Sequence, residues 1–272
     1  MARRIFAALV LLALAAVALS QPKVYVALGD SLGWGYQPDN VTPSEGDKGY
    51  VRGTADWLGA QQGTRPVLTN LSIPGETSAS FFNTSEIGAI LNTNYPLFFR
   101  KSQSQTFLDR VASHQAAGRI VETVTLDIGG NDLLDLLDST FLAKPFTEQQ
   151  AIADTAINAA RPNVRQALAV VRNRLPLAKI VLAGYYNPYA AFPGSAEDRI
   201  SAYAIPRLNH MLFIEAKRIR ISYASSFTDF VGHELEYTWI GEGDIHCRNA
   251  GYAVMASAVT ARLARPLPVI SP

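Results

Sequence analysis

VYVALGDSLGWG, Val24 to Gly35, runs a β-branched apolar stretch straight into a glycine-flanked polar turn. A short continuous apolar run bounded by turn residues is the pattern of a strand buried on both faces. Four further runs follow: VLTNLS (Val67–Ser72), VTLDIG (Val124–Gly129), KIVLAG (Lys179–Gly184) and the weaker ISYA (Ile221–Ala224). Between and after them lie longer stretches with helical spacing, over 50–62, 105–117, 148–175, 197–220 and 249–263. Strands alternating with helices predict an α/β fold, a three-layer α/β/α sandwich around a doubly wound, parallel, five-stranded sheet. Pro162 and Pro206 fall inside two of the helical stretches. A proline there removes a donor and clashes with the preceding turn, which predicts a kink or a split at each.

Outside this framework, Arg3 and Arg4 precede an apolar run from Ile5 to Leu19 that ends in small residues. That is the layout of a secretory signal peptide, with Ala18 and Ser20 at the small-residue cleavage positions and processing expected near Gln21. Residues 1–20 are therefore set aside, leaving 272 − 20 = 252 residues for one large domain over 21–272. The 24 basic residues less the two leader arginines give 22 against 23 acidic ones, a near-zero charge without a basic, aromatic-laced run. Nucleic acid is excluded as a partner on that ground. No later apolar stretch is long enough to span a bilayer, so no stable membrane insertion is expected once the leader is removed, and the product is expected in the periplasm or medium. Cys247 is the single cysteine, and His114, His210, His233 and His246 are scattered without metal-ligand spacing. Neither an internal disulfide nor a metal or cofactor is expected.

Ser31 sits where the first run ends, at the carboxyl edge on which open α/β sheets bind ligands. A serine hydroxyl is a weak nucleophile until a base accepts its proton, so taken alone GDSLGWG is also an ordinary turn. Two blocks follow the next two strands and reach the same edge: IPGETS (Ile73–Ser78) and IGGND (Ile128–Asp132). Gly75 can present a backbone N–H unobstructed by a side chain, and Asn131 a side-chain amide, both suited to a developing oxyanion. GEGDIHCRNAGY (Gly241–Tyr252) then places His246 in a loop directly before the last helix, where it can reach back over Ser31.

Ser31, Gly75, Asn131 and His246, in that order and separated by strands and helices, resemble the four signature residues of the SGNH (GDSL) esterase and lipase family. The resemblance implies a flavodoxin-like SGNH fold and a secreted serine hydrolase acting on small acyl esters or lipids without a cofactor. It makes Ser31 the nucleophile and His246 the general base. The N–H groups of Ser31 and Gly75, with the Asn131 amide, become the oxyanion hole. One position departs from the family pattern: the orienting aspartate is expected three residues before the histidine, where this chain has Gly243. Asp244, Glu242 or a main-chain carbonyl can take its place. Cys247, where the family often has proline, reads as a packing residue.

Two other functions share these residues: a non-catalytic glycan- or lipid-binding module, and an acyltransferase. The long connection from Phe81 to Ser104 carries Phe81, Phe82, Tyr95, Leu97, Phe98 and Phe99. These either line an acyl pocket or pack the loop onto the core. Asp132, Asp135 and Asp138, three apart, read as a solvated helix face without a function.

Overall fold

The computed structural model describes residues 22–38, 48–83 and 101–265. The leader (1–20) and Tyr95, Leu97, Phe98 and Phe99 of the aromatic connection lie outside the described residues.

Five strands, β1 (Lys23–Gly29), β2 (Val67–Asn70), β3 (Ile120–Asp127), β4 (Lys179–Ala183) and β5 (Ser222–Ala224), form one sheet in the order β2-β1-β3-β4-β5. Every pairing is parallel. The long helices are α1 (Gly49–Gln62), α2 (Gln103–Ala116), α3 (Phe146–Arg174), α4 (Ala196–Arg218) and α5 (Asn249–Leu263). Right-handed crossovers put the helix joining β1 to β2 on one face, and those joining β2 through β5, where the chain runs the other way across the sheet, on the opposite face. Accordingly α1 packs with α5, while α3 packs with both α2 and α4. This is the doubly wound sandwich read from the alternation.

Val24 to Leu28 of β1, an inner strand, are buried on both faces, which is why the run is apolar throughout. β2, at the edge, stops at Asn70, short of Ser72. The Asn70 side chain accepts from Ser72 N–H at 3.0 Å and donates to the Gly33 carbonyl at 2.7 Å. This Asx turn diverts the chain toward the nucleophile turn. Neither proline splits its helix: α3 runs through Pro162 and α4 through Pro206. Both prolines are exposed, as are Asn158 and Ala202 one turn before them. The carbonyls that lose a partner therefore face water, and packing of the opposite, apolar stripe holds each helix together.

Candidate active site

β1 and β3 end level, with Gly29 beside Asp127, and the strand order reverses between them. The crevice outside the carboxyl ends at such a reversal is where α/β sheets receive ligands. Gly29 has φ +132°, and a Cβ there would collide with the Asp127 carbonyl, so only glycine lets β1 turn so close to β3. Asp30 then caps a single helical turn, Ser31–Trp34, by accepting from Leu32 N–H at 2.9 Å. Beneath this turn Asp127 accepts from the N–H groups of Asp30 and Gly33, both at 3.0 Å, and from the Tyr50 hydroxyl at 2.5 Å. Tyr185 donates to Asp30 at 2.6 Å. Burial pushes the carboxyls of Asp30 and Asp127 up, and the charge of Asp30 carries Asp127 well above the usual range. Both shifts favour the protonated form, as expected of two acids that share one buried site.

The IPGE stretch folds as a type II turn. Glu76 N–H donates to the Ile73 carbonyl at 3.0 Å, and Gly75 takes φ +82° at the position where that turn demands it. Among the described residues the backbone N–H groups of Ser31 and Gly75 donate no hydrogen bond. Asn131 Nδ2 donates to the Glu76 carbonyl at 2.9 Å, spending one amide proton and leaving the other. Asp132 accepts from the N–H and hydroxyl of Ser78 at 2.8 and 2.6 Å, so it ties the two loops together instead of facing solvent. Asp138 caps the turn Ser139–Leu142 through Phe141 N–H at 2.7 Å. Asp132 therefore departs from the solvated face read from the spacing, whereas Asp135 and Asp138 are exposed.

From the far end of the chain, an antiparallel bridge between Thr238 and Cys247 closes the loop that carries His246. Tyr186 donates to the Ile245 carbonyl at 2.7 Å, and the Tyr36 ring packs on the imidazole with centroids 4.4 Å apart. His246 Nε2 lies 2.8 Å from Ser31 Oγ. On the other side of the ring, Nδ1 lies 2.6 Å from Asp244 Oδ1, which also accepts His246 N–H at 2.8 Å. Gly243 explains how an acid two residues before the histidine reaches the imidazole. It takes φ +85° at the end of the short turn Ile240–Glu242, and this left-handed step reverses the chain ahead of Asp244. Burial raises the Asp244 pKa, but hydrogen bonds from the ring and backbone of His246, with the imidazole charge, outweigh it and leave the carboxyl below its ordinary range. Glu242 is turned away: both of its oxygens lie 2.6 Å from Arg248, whose guanidinium stacks on Trp239. Cys247 is fully buried against Met255, and burial pushes its thiol far up.

The structure thus brings together Ser31, Gly75, Asn131, His246 and Asp244 at one sheet edge. A sequence model of the GDSL-like lipase/acylhydrolase family matches residues 27–254, a span that holds all five. The chain belongs to the GDSL-like lipase/acylhydrolase family. By class it is a carboxylic ester hydrolase. Solved structures with the same fold include the lipase Lip_vut3 from a goat rumen metagenome, at 22% identity and TM-score 0.62 over 90% of this chain and 99% of that one. An extracellular lipase from Streptomyces rimosus follows at 21% and 0.59, covering 88% and 99% of the two chains. An acetyl-xylooligosaccharide esterase variant from Geobacillus has 15% and 0.55 over 91% and 97%. No curated protein sequence matches the chain.

Of the groups supporting this acylhydrolase site, sequence reading passed over Asp127, Tyr50, Tyr185 and Glu76. A signal for the first was present: an acid inside the apolar run VTLDIG must have buried partners. Glu76 shows a further consequence of burial. It accepts from the Ser80 hydroxyl at 2.5 Å and from Gln103 at 2.8 Å, yet burial outweighs both and pushes its carboxyl up to about 7. Against roughly 4.3 in the unfolded chain, the protonated group favours the fold fully below that pH. The contribution is lost as pH rises to about 7. Glu76→Gln removes this titration. Between pH 4 and pH 8 its stability relative to the native chain is expected to improve by roughly 2–4 kcal/mol, measured by urea unfolding. A difference that does not change with pH would contradict the assignment.

Proposed function

We propose that the protein is an exported serine esterase in which Ser31 forms an acyl-enzyme, with His246 as general base and acid and Asp244 as the orienting carboxylate. The contact of Ser31 Oγ with His246 Nε2 at 2.8 Å, with Asp244 on the opposite ring nitrogen, carries this reading. His246 Nε2 takes the Ser31 proton as Oγ bonds to the ester carbonyl carbon. The carbonyl oxygen becomes an oxyanion that the N–H groups of Ser31 and Gly75 and the free Asn131 amide proton are placed to bind. Collapse breaks the bond to the alkoxide, which leaves as the alcohol with the proton from His246. Water then repeats the sequence on the acyl-enzyme, releasing the carboxylic acid and restoring Ser31. The leader-like stretch Arg3 to Ser20 supports export. Among the described residues no helix is long and apolar enough to cross a membrane.

A non-catalytic module drew its support from Gly243 standing where an acid was expected, and Asp244 beside Nδ1 weakens that support. Rapid mixing with a nitrophenyl ester is expected to give a burst of nitrophenolate equal to the enzyme present, followed by steady turnover. Folded protein that hydrolyses no acyl ester would overturn the proposal. Asn131→Ala is expected to lower kcat by about 10²–10³-fold. A loss confined to KM would remove Asn131 from the oxyanion hole.

A further inference from the structure

Resting on the reading of Ser31 as nucleophile, we infer that Gln103 and Glu76 are positioning residues, which together set where the oxyanion donor of the Gly75 loop stands relative to those of Ser31 and Asn131. The three donors come from three separate stretches of chain, after β1, β2 and β3. The ladder between β1 and β3 stays level to Gly29 and Asp127, so it fixes the Ser31 and Asn131 stretches against each other. The Gly75 stretch has less support, because β2 pairs with β1 only as far as Asn70. Past that point the N–H groups of Leu71 and Ile73 still reach β1 carbonyls, at 2.8 and 2.9 Å, and the chain then leaves the sheet before Gly75.

Gln103, the first residue of α2 and only 1% exposed, spans this gap. Its Oε1 accepts Gly29 N–H at 2.6 Å, and its Nε2 donates to the Gly29 carbonyl and to Glu76 Oε2, both at 2.8 Å. One amide thus serves both main-chain groups of the residue two before the nucleophile, as a neighbouring strand would. Its remaining proton goes to the residue after Gly75. Glu76 passes the contact on: its main-chain carbonyl accepts from Asn131 Nδ2 at 2.9 Å, and its other carboxyl oxygen accepts from the Ser80 hydroxyl. Ser80 opens the short turn Ser80–Phe82, in which Phe81 is fully buried in the main core and Phe82 packs against that core. The described aromatics of the long connection therefore pack the loop onto the core and hold Glu76 through Ser80. Neither Gln103 nor Glu76 lines the crevice at Ser31, so both act through the donors that they tie together. An oxyanion hole works only while its donors stand at hydrogen-bond distance from one point, and a shift of about 1 Å is enough to cost on the order of 10²-fold in rate.

The test is nitrophenyl ester turnover by variants whose folding is established by thermal melting. In Gln103→Leu kcat should fall by about 10- to 10²-fold, with KM changed by less than about threefold. A double-mutant cycle then separates action through the oxyanion hole from support of the fold alone. In an Asn131→Ala background the same substitution should cost less than about threefold, because the hole is already broken. Glu76→Ala should behave like Gln103→Leu, and Glu76→Gln, whose amide oxygen still accepts from Gln103, should recover most of the lost kcat. If Gln103→Leu does not fold, Gln103→Asn, a methylene too short to reach Gly29 and Glu76 together, carries the same expectations. A folded Gln103 variant with kcat within about threefold of native, or a loss of equal size in both backgrounds, overturns the inference. The two failures stay distinguishable. A native chain that gives no nitrophenolate burst removes the proposed nucleophile beneath the inference, whereas a native burst with unimpaired Gln103 variants removes the positioning role alone.

Discussion

Ser31→Ala is expected to lower ester hydrolysis by about 10⁴-fold or more while leaving the far-ultraviolet spectrum and melting temperature nearly unchanged. The size of the effect follows from what the hydroxyl does in the proposed cycle, since every turnover passes through a bond to Oγ. Without it only the oxyanion donors and substrate binding remain. The small structural cost follows from the local contacts. The nucleophile turn is held by the Asp30 cap, by Asp127 beneath it and by the backbone bond from Gly35 to the Ser31 carbonyl, none of which uses the serine side chain. Losing the hydroxyl removes a partner of His246, which stays fixed by Asp244, Tyr36 and the Tyr186 bond to Ile245. Retention of more than about one part in a hundred of the activity in folded protein would place the nucleophile elsewhere.

Asp244→Asn is expected to cost roughly 10³- to 10⁴-fold in kcat. Its Oδ1 accepts both the ring Nδ1–H and the backbone N–H of His246, and the carboxyl is held below its ordinary range, so it is ionised wherever the imidazole is called on to accept a proton. An asparagine can keep the backbone bond. It supplies no charge for the imidazolium, and if its amide turns toward the ring it selects the wrong tautomer. Glu242→Gln is the natural control. Glu242 is paired with Arg248 at the rim and should change kcat by no more than about twofold. A loss under about tenfold for Asp244→Asn would mean that a main-chain carbonyl orients the ring. A large loss for Glu242→Gln would move the acid.

The sheet was legible because its inner strands, β1, β3 and β4, are largely buried on both faces and bounded by turn residues, so their apolar runs stand out from the longer helical spacing. Boundaries depended on side chains that periodicity ignores, as where Asn70 turns β2 away before Ser72. Neither proline splits its helix because their exposure, which makes a missing N–H cheap, is a property of the packed helix and not of the local sequence. At the site, Pro74-Gly75 announced its turn and the order of four blocks announced the constellation. The orienting acid was not decidable from spacing, since the choice between Asp244 and Glu242 rests on a left-handed step at Gly243 and on where Arg248 lies.

Fluorophosphonate labelling of the folded protein, read by mass spectrometry of its peptides, tests the central claim most directly, because the probe reports an activated serine without assuming a substrate. The expected result is one stoichiometric adduct, on Ser31 within GDSLGWG, absent from Ser31→Ala and slowed in Asp244→Asn. An unlabelled protein, or an adduct that persists in Ser31→Ala, would contradict it.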